Sequence, residues 1–80
     1  MKTVKIYLNE IDTVKRFCQL AYLAEGLKIT LHSCKYVVNG KSILGVFSLD
    51  LSKPIDCDIE GDEKAIADFI VKLEVEKVLV

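Results

Sequence analysis

The chain has 80 residues, of which 51% are hydrophobic, and its formal charge at neutral pH is -1. This length predicts a single domain, residues 1–80, built around one small core. A charge so near zero gives no field that would gather nucleic acid or an anionic membrane, and the sequence has no run of about 18 apolar residues that would predict a membrane span.

Residues 3–8 alternate between apolar and mostly polar side chains, and Val4, Ile6 and Leu8 share one face. This period of two predicts a strand that is buried on one side. The same alternation, with lysines at two positions, does not fit a secretory signal.

The next stretch, residues 9–25, predicts a long amphipathic helix because its apolar side chains recur at spacings of three and four. The predicted apolar face comprises Ile11, Val14, Phe17, Cys18, Leu20, Ala21 and Ala24. Asn9 or Asp12 is placed to cap the amino end, since short polar side chains accept hydrogen bonds from the first free N–H groups. Gly26 follows the last turn, where a left-handed backbone is favoured.

Residues 27–34 alternate again and are followed by a shorter apolar stretch, residues 35–38. Because both stretches fit the period of a strand, they predict a β-hairpin that turns at residues 33–35. His32 falls on the predicted wet face of this hairpin and is expected to be a solvated strand residue.

A crowded apolar segment follows an Asn-Gly turn signal. Residues 41–49 predict a short helix with Ser42 as its N-cap. A helix of two turns offers only about three to four buried positions, so some of Ile43, Leu44 and Phe47 should reach the surface. An exposed apolar patch beside a hydroxyl suits a docking site that phosphate can switch.

The remainder predicts a strand and a helix. Pro54 precedes residues 55–60, whose strict alternation predicts the strand. Asp62 or Glu63 is expected to open the last helix, where acidic side chains favour the dipole. Its predicted apolar face comprises Ala65, Ile66, Phe69, Ile70 and Leu73. The tail, Val75–Val80, prolongs the apolar pattern and can either extend this helix or leave it and pack or pair separately.

The element order is therefore strand, helix, strand, strand, short helix, strand, helix. Alternating strands predict an antiparallel sheet with helices on one side. The pattern alone also permits a ferredoxin-like sandwich.

The segment VNGKSILGVFSL, residues 38–49, resembles the central segment of HPr, the small phosphocarrier of the bacterial sugar phosphotransferase system. The resemblance extends, more weakly, over nearly the whole chain. It implies an α+β open-faced sandwich (βαββαβα) with four antiparallel strands in the order 1-4-2-3 and three helices on one face. In Gram-positive members this segment holds a regulatory serine, and Ser42 matches it.

The family's phosphate acceptor is not matched. HPr carries phosphate on a histidine at the start of its first helix, in a Gly-Leu-His-Ala-Arg-Pro-like motif. The matching stretch here, EIDTVK at residues 10–15, places Asp12 at the histidine and Val14 at the arginine. Glu10 and Asp12 would repel a phosphate there, an effect that Lys15 and Arg16 could partly offset. We interpret Asp12 as a helix cap.

Other site chemistry is not indicated by the residues. The cysteines, Cys18, Cys34 and Cys57, are widely spaced and odd in number, which favours reduced packing thiols over disulfides or a zinc site. The acidic residues Asp56, Asp58, Glu60, Asp62 and Glu63 alternate along a strand and continue into a helix, which favours a solvated face over a cation site. We expect no metal and no cofactor.

These features predict a cytoplasmic bacterial binding protein rather than an enzyme: an HPr-like regulatory module without histidine phosphocarrier activity, controlled by phosphorylation of Ser42. The expected partner-binding residues are Ile43, Leu44, Phe47, Lys15 and Arg16. The resemblance implies protein partners, namely a transcription regulator, a kinase/phosphatase acting on HPr or a phosphotransferase-system enzyme, and the chain is expected to be a monomer or weak homodimer. Two alternatives stay open: a phosphoryl carrier that uses Asp12, and a diverged domain with no signalling role.

Overall fold

The structure, a computed structural model, describes residues 1–33 and 36–80. Its elements are β1 (Lys2–Ile6), α1 (Ile11–Leu23), β2 (Lys28–Ser33), β3 (Tyr36–Asn39), α2 (Ile43–Phe47), β4 (Ile55–Glu60) and α3 (Glu63–Val75). The four strands form one antiparallel sheet in the order β1-β4-β2-β3. This is the α+β open-faced sandwich that the resemblance implied, and not the alternative that the pattern had left open. Of the predicted hairpin turn, only Ser33 belongs to the described residues.

The two faces of the sheet differ because β4 lies in its centre, between β1 and β2. The register places Cys57 opposite Val4 on one side and Leu31 on the other. On this face the side chains of Ile55, Cys57 and Ile59 are fully buried. The alternate residues, Asp56, Asp58 and Glu60, lie on the open face, as the period of two predicted.

Helices α1 and α3 complete the core. Phe17 and Phe69 meet edge to face, with ring centroids 6.3 Å apart and planes at 64°, a geometry that aromatic quadrupoles favour. Most of the predicted helix faces are buried or partly buried. Ile11 is the exception at 63% exposed, because it is the first residue of α1 and the buried face starts only at Thr13.

The prediction that Asn9 or Asp12 caps α1 is wrong. The N-cap position belongs to Glu10, whose backbone is extended and whose side chain makes no capping hydrogen bond. Asn9 lies one residue outside this boundary and Asp12 lies in the first turn, where a carboxylate favours the helix dipole without capping. Asp62, by contrast, caps α3 as predicted and accepts from two backbone N–H groups at 3.1 Å each.

Two glycines occupy places that a side chain would disturb. Gly26 has φ +82, the left-handed backbone predicted after α1. Gly40 donates its N–H to the carbonyl of Ile29 at 2.8 Å. A Cβ atom at Gly40 would lie 2.5 Å from Cγ2 of the buried Ile29. The close approach holds the turn that leads into α2 against β2.

Both described cysteines are free and buried. Burial raises the pKa of the Cys18 thiol. Burial, with a smaller contribution from the nearby Asp58 carboxylate, raises the pKa of Cys57 to about 12. A thiol kept neutral is a poor nucleophile, so both residues fit the predicted packing role. Cys34 lies outside the described residues.

The tail leaves α3 and returns to the edge of β1, which is the second of its two predicted alternatives. Lys77 turns the chain with φ 58. The carbonyl of Val78 then accepts from the N–H of Tyr7 at 2.9 Å, and the N–H of Val80 donates to the carbonyl of Lys5 at 3.1 Å. The Val78 side chain is fully buried. In the part of the chain described, no helix combines the length and the apolar character that crossing a bilayer requires.

We predict that Val78→Ala lowers the free energy of unfolding by roughly 2 kcal/mol, since it removes buried methyl groups and leaves a small cavity. The matched control is Val80→Ala, because Val80 is 73% exposed and an exposed substitution changes stability by less than about 0.5 kcal/mol. Urea denaturation followed by circular dichroism measures both. Equal effects of the two substitutions would contradict a tail docked through Val78.

Candidate functional site

An exposed apolar surface lies on α2, and we call the side chains of Ile43, Leu44 and Phe47 the docking patch. They are 39%, 82% and 39% exposed, respectively. Val46 is the one residue of this five-residue helix that is fully buried, and it anchors α2 to the core. The helix is too short to bury more, so the prediction that some of these side chains reach the surface is confirmed.

Ser42 stands at the amino end of α2 and is its N-cap, as predicted. Its Oγ accepts from the N–H of Gly45 at 3.3 Å. The turn before it is fixed by Asn39, whose carbonyl accepts from the N–H of Ser42 at 3.0 Å and whose Oδ1 accepts from the N–H of Lys41 at 2.8 Å. Ser42 is exposed. Its hydroxyl is therefore held on a defined backbone at the surface.

Lys41 links this turn to α1. Its Nζ donates to the carbonyl of Ala24, the C-cap residue of α1, at 3.2 Å. The last turn of α1 contains no basic residue of its own, so Lys41 supplies the cation that a helix carboxyl end favours. No local pattern in the sequence signals this contact, because it joins residues 17 apart in the chain.

The amino end of α1 carries carboxylates. Glu10 occupies the N-cap position and Asp12 lies in the first turn, and both are exposed. Lys15 and Arg16 are exposed further along the same helix. Free backbone N–H groups favour an anion at this end, but these carboxylates already place negative charge there. Helix α1 contacts α2, so the predicted site residues lie on two touching helices.

The chain's single histidine, His32, lies on β2 and on the open face of the sheet, opposite the helices. Its Nε2 is 2.6 Å from Oδ2 of Asp58, a close contact that does not have the geometry of a hydrogen bond. Oδ1 of Asp58 accepts from the Thr3 hydroxyl at 2.8 Å. His32 is half-buried. It is on the predicted strand face, but it is held by a carboxylate rather than simply solvated.

The acidic residues of β4 are paired across strands. Asp56 lies 3.5 Å from Lys5, and Glu60 lies 4.0 Å from Lys28. These exposed pairs are worth little energetically, but they account for the charges without a bound ion. Among residues 1–33 and 36–80, no group of histidine, cysteine and acidic side chains could hold a metal.

No protein-family model and no curated protein sequence matches the chain. Solved structures do match it. The crystal structure of HPr-C-His from Thermoanaerobacter tengcongensis aligns with a TM-score of 0.73 at 28% identity, covering 95% of this chain and 94% of that chain. The crystal structure of a phosphocarrier protein HPr from Bacillus anthracis str. Ames aligns with a TM-score of 0.65 at 25% identity, covering 89% of this chain and 92% of that chain.

Both matches extend over nearly all of each chain, so they show that this chain shares the fold of these two proteins. These two matches support assigning the chain to the HPr family.

Proposed function

We propose that this chain is an HPr-like regulatory protein of the phosphotransferase-system type, which acts by binding partner proteins and does not relay phosphate through a histidine. The observation that carries the proposal is the docking patch, three large apolar side chains exposed on α2. Apolar side chains grouped at a surface favour covering by another protein. Ser42, at the amino end of the same helix, gives that surface a modifiable hydroxyl.

Phosphorylation of Ser42 is the proposed switch. A kinase transfers the γ-phosphoryl group of ATP to Oγ: the new P–O bond forms, the bond to ADP breaks, and the hydroxyl proton passes to a base of the kinase. The phosphate adds about -1.5 to -2 charges beside the docking patch. A partner that presents arginine next to an apolar pocket gains from this charge, whereas a partner with only apolar surface is repelled.

The proposed partners are proteins of three classes: a transcription regulator, a kinase/phosphatase that acts on HPr, and an enzyme of the phosphotransferase system. Lys15 and Arg16, on the helix that touches α2, extend the binding surface. We propose a cytoplasmic protein that is a monomer or weak homodimer. The similarity to solved HPr structures supports these partner classes.

The proposed loss of the histidine relay is supported by where the titratable side chains lie. His32 is on the opposite face of the sheet from α1 and is already paired with Asp58. At the amino end of α1 the side chains are those of Glu10 and Asp12. A carboxylate in that place already supplies the negative charge that the helix dipole favours.

One observation favours a second function, a phosphoryl carrier that uses Asp12. This carboxylate is exposed in the first turn of α1, whose N–H groups receive no capping bond from the N-cap side chain. Those N–H groups could stabilise an acyl phosphate formed when Asp12 attacks the donor's phosphorus and the donor leaves.

We predict that Leu44→Asp weakens binding to the HPr-binding transcription regulator or kinase/phosphatase of the same host by at least tenfold, which is about 1.4 kcal/mol. Leu44 is 82% exposed, so the fold should be unaffected. Val71→Asp, at an exposed position on α3, is the matched control and should bind like the wild type. Titration calorimetry measures the affinity of the wild type and of both variants for the partner. If the two variants bind equally well, the docking patch is not the binding surface. That result would favour the alternative that the chain is a diverged domain with no signalling role.

We predict that the first enzyme of the phosphotransferase system, with labelled phosphoenolpyruvate, transfers no label to this chain, because the amino end of α1 lacks the ring nitrogen. The histidine-bearing HPr of the same host serves as the positive control. The labelled product is read by mass spectrometry under mild conditions that preserve acyl phosphates. Label that disappears in Asp12→Asn would establish the carrier function instead.

A further inference from the structure

Two donors share the carbonyl that ends α1. The Ala24 carbonyl accepts from the Nζ of Lys41 at 3.2 Å and from the N–H of Leu27 at 3.3 Å. The second bond lies within the turn that leads to β2, while the first comes from the turn before α2. Lys41 is half-buried. Its ammonium therefore ties the carboxyl end of α1 to the turn that presents Ser42.

Lys41 and Ser42 are consecutive residues of that turn, and Asn39 fixes the backbone of both. Asn39 accepts from the backbone N–H of each of them, and consecutive Cα atoms are about 3.8 Å apart. A lysine ammonium sits on a flexible four-carbon stem and can exchange one acceptor for another. Charge-assisted hydrogen bonds to phosphate are roughly twice as strong as hydrogen bonds between neutral groups. A phosphate on Ser42 thus competes with the neutral Ala24 carbonyl for the same ammonium.

We propose that Lys41 carries the phosphorylation state of Ser42 to the carboxyl end of α1, an inference that rests on the proposed phosphorylation of Ser42. The phosphate draws the ammonium away from the Ala24 carbonyl, and the last turn of α1 loosens. Tyr22 and Leu23 are exposed at this end of α1. A partner protein then meets two altered surfaces, the charged docking patch and the loosened helix end.

The loosening is confined because other contacts persist. The N–H of Leu27 still donates to the Ala24 carbonyl when the ammonium leaves. The N–H of Ala24 closes the last turn by donating to the carbonyl of Leu20 at 3.1 Å, and the N–H of Glu25 donates to that of Leu23 at 3.0 Å. These two amides therefore report local opening of the turn, and not unfolding of the chain.

The test uses the full chain with phosphoserine incorporated at position 42 during translation, so that no kinase is needed. Amide hydrogen exchange at Ala24 and Glu25 is measured by NMR with and without the phosphate. We expect phosphate to accelerate both by about tenfold or more, as the loss of one hydrogen bond to a charged group implies. The amide of Ile66, which bonds to Asp62 at 2.9 Å in α3, should stay unchanged.

Two variants isolate the role of the ammonium. Lys41→Met keeps the apolar stem without the charge. In this variant the amides of Ala24 and Glu25 should exchange fast even without phosphate, and phosphorylation should not accelerate them further. Lys41→Arg keeps the charge and should keep the response. Unchanged exchange in the phosphorylated wild type, or equal acceleration in phosphorylated Lys41→Met, would overturn the inference.

The wild-type chain decides the question even if Lys41→Met does not fold. The ¹³Cε and ¹⁵Nζ shifts of Lys41 move on phosphorylation if the ammonium changes its acceptor, and stay fixed if it does not. A kinase that ignores Ser42 would contradict the proposed function, but it would leave the result of this experiment on the phosphoserine protein standing.

Discussion

The pairing of β4 with both of its neighbours is the constraint on which the rest of the structure depends. Its register sets Ile55, Cys57 and Ile59 under the helices and leaves the acidic residues between them in water. A shift by one residue would exchange the two faces and bury carboxylates in the core. Because one face alone is apolar, all three helices cover it, and their exposed parts, including α2, form the surface that we propose as functional. His32 is left on the other face.

The period of two and the period of 3.6 predicted the elements well, since burial on one face follows from local spacing. The Ser42 cap and the exposure of the docking patch were also local: a polar residue stood before a helix too short to bury its apolar side chains. The strand order was different. Spacing left both a ferredoxin-like sandwich and an HPr-like open-faced sandwich open. The resemblance of residues 38–49 to HPr was needed to choose between these two folds.

The features that the sequence did not predict have physical reasons. Capping depends on where a helix starts to within one residue, and α1 begins between the two candidate caps, Asn9 and Asp12. The tail was ambiguous because apolar residues suit both a helix and a packed strand, and the turn that separates them is made by Lys77 at positive φ rather than by glycine. The Lys41 contact with Ala24 depends on tertiary structure alone.

The residues that bear on the proposed function lie in three separate parts of the fold. The amino end of α1 presents the carboxylates of Glu10 and Asp12. The imidazole of His32 lies against Asp58 on the opposite face of the sheet. The amino end of α2 carries the exposed hydroxyl of Ser42 beside the docking patch. Lys41 joins the two helices at that hydroxyl. The function that we propose for this arrangement is interaction with other proteins, set by one charge-changing modification.

The intact mass of the chain purified from its own host tests that central claim most directly. We expect a fraction heavier by one phosphoryl group, with fragmentation assigning the phosphate to Ser42. A chain that stays unmodified under all growth conditions, or phosphate found on Asp12 or His32 instead, would contradict it.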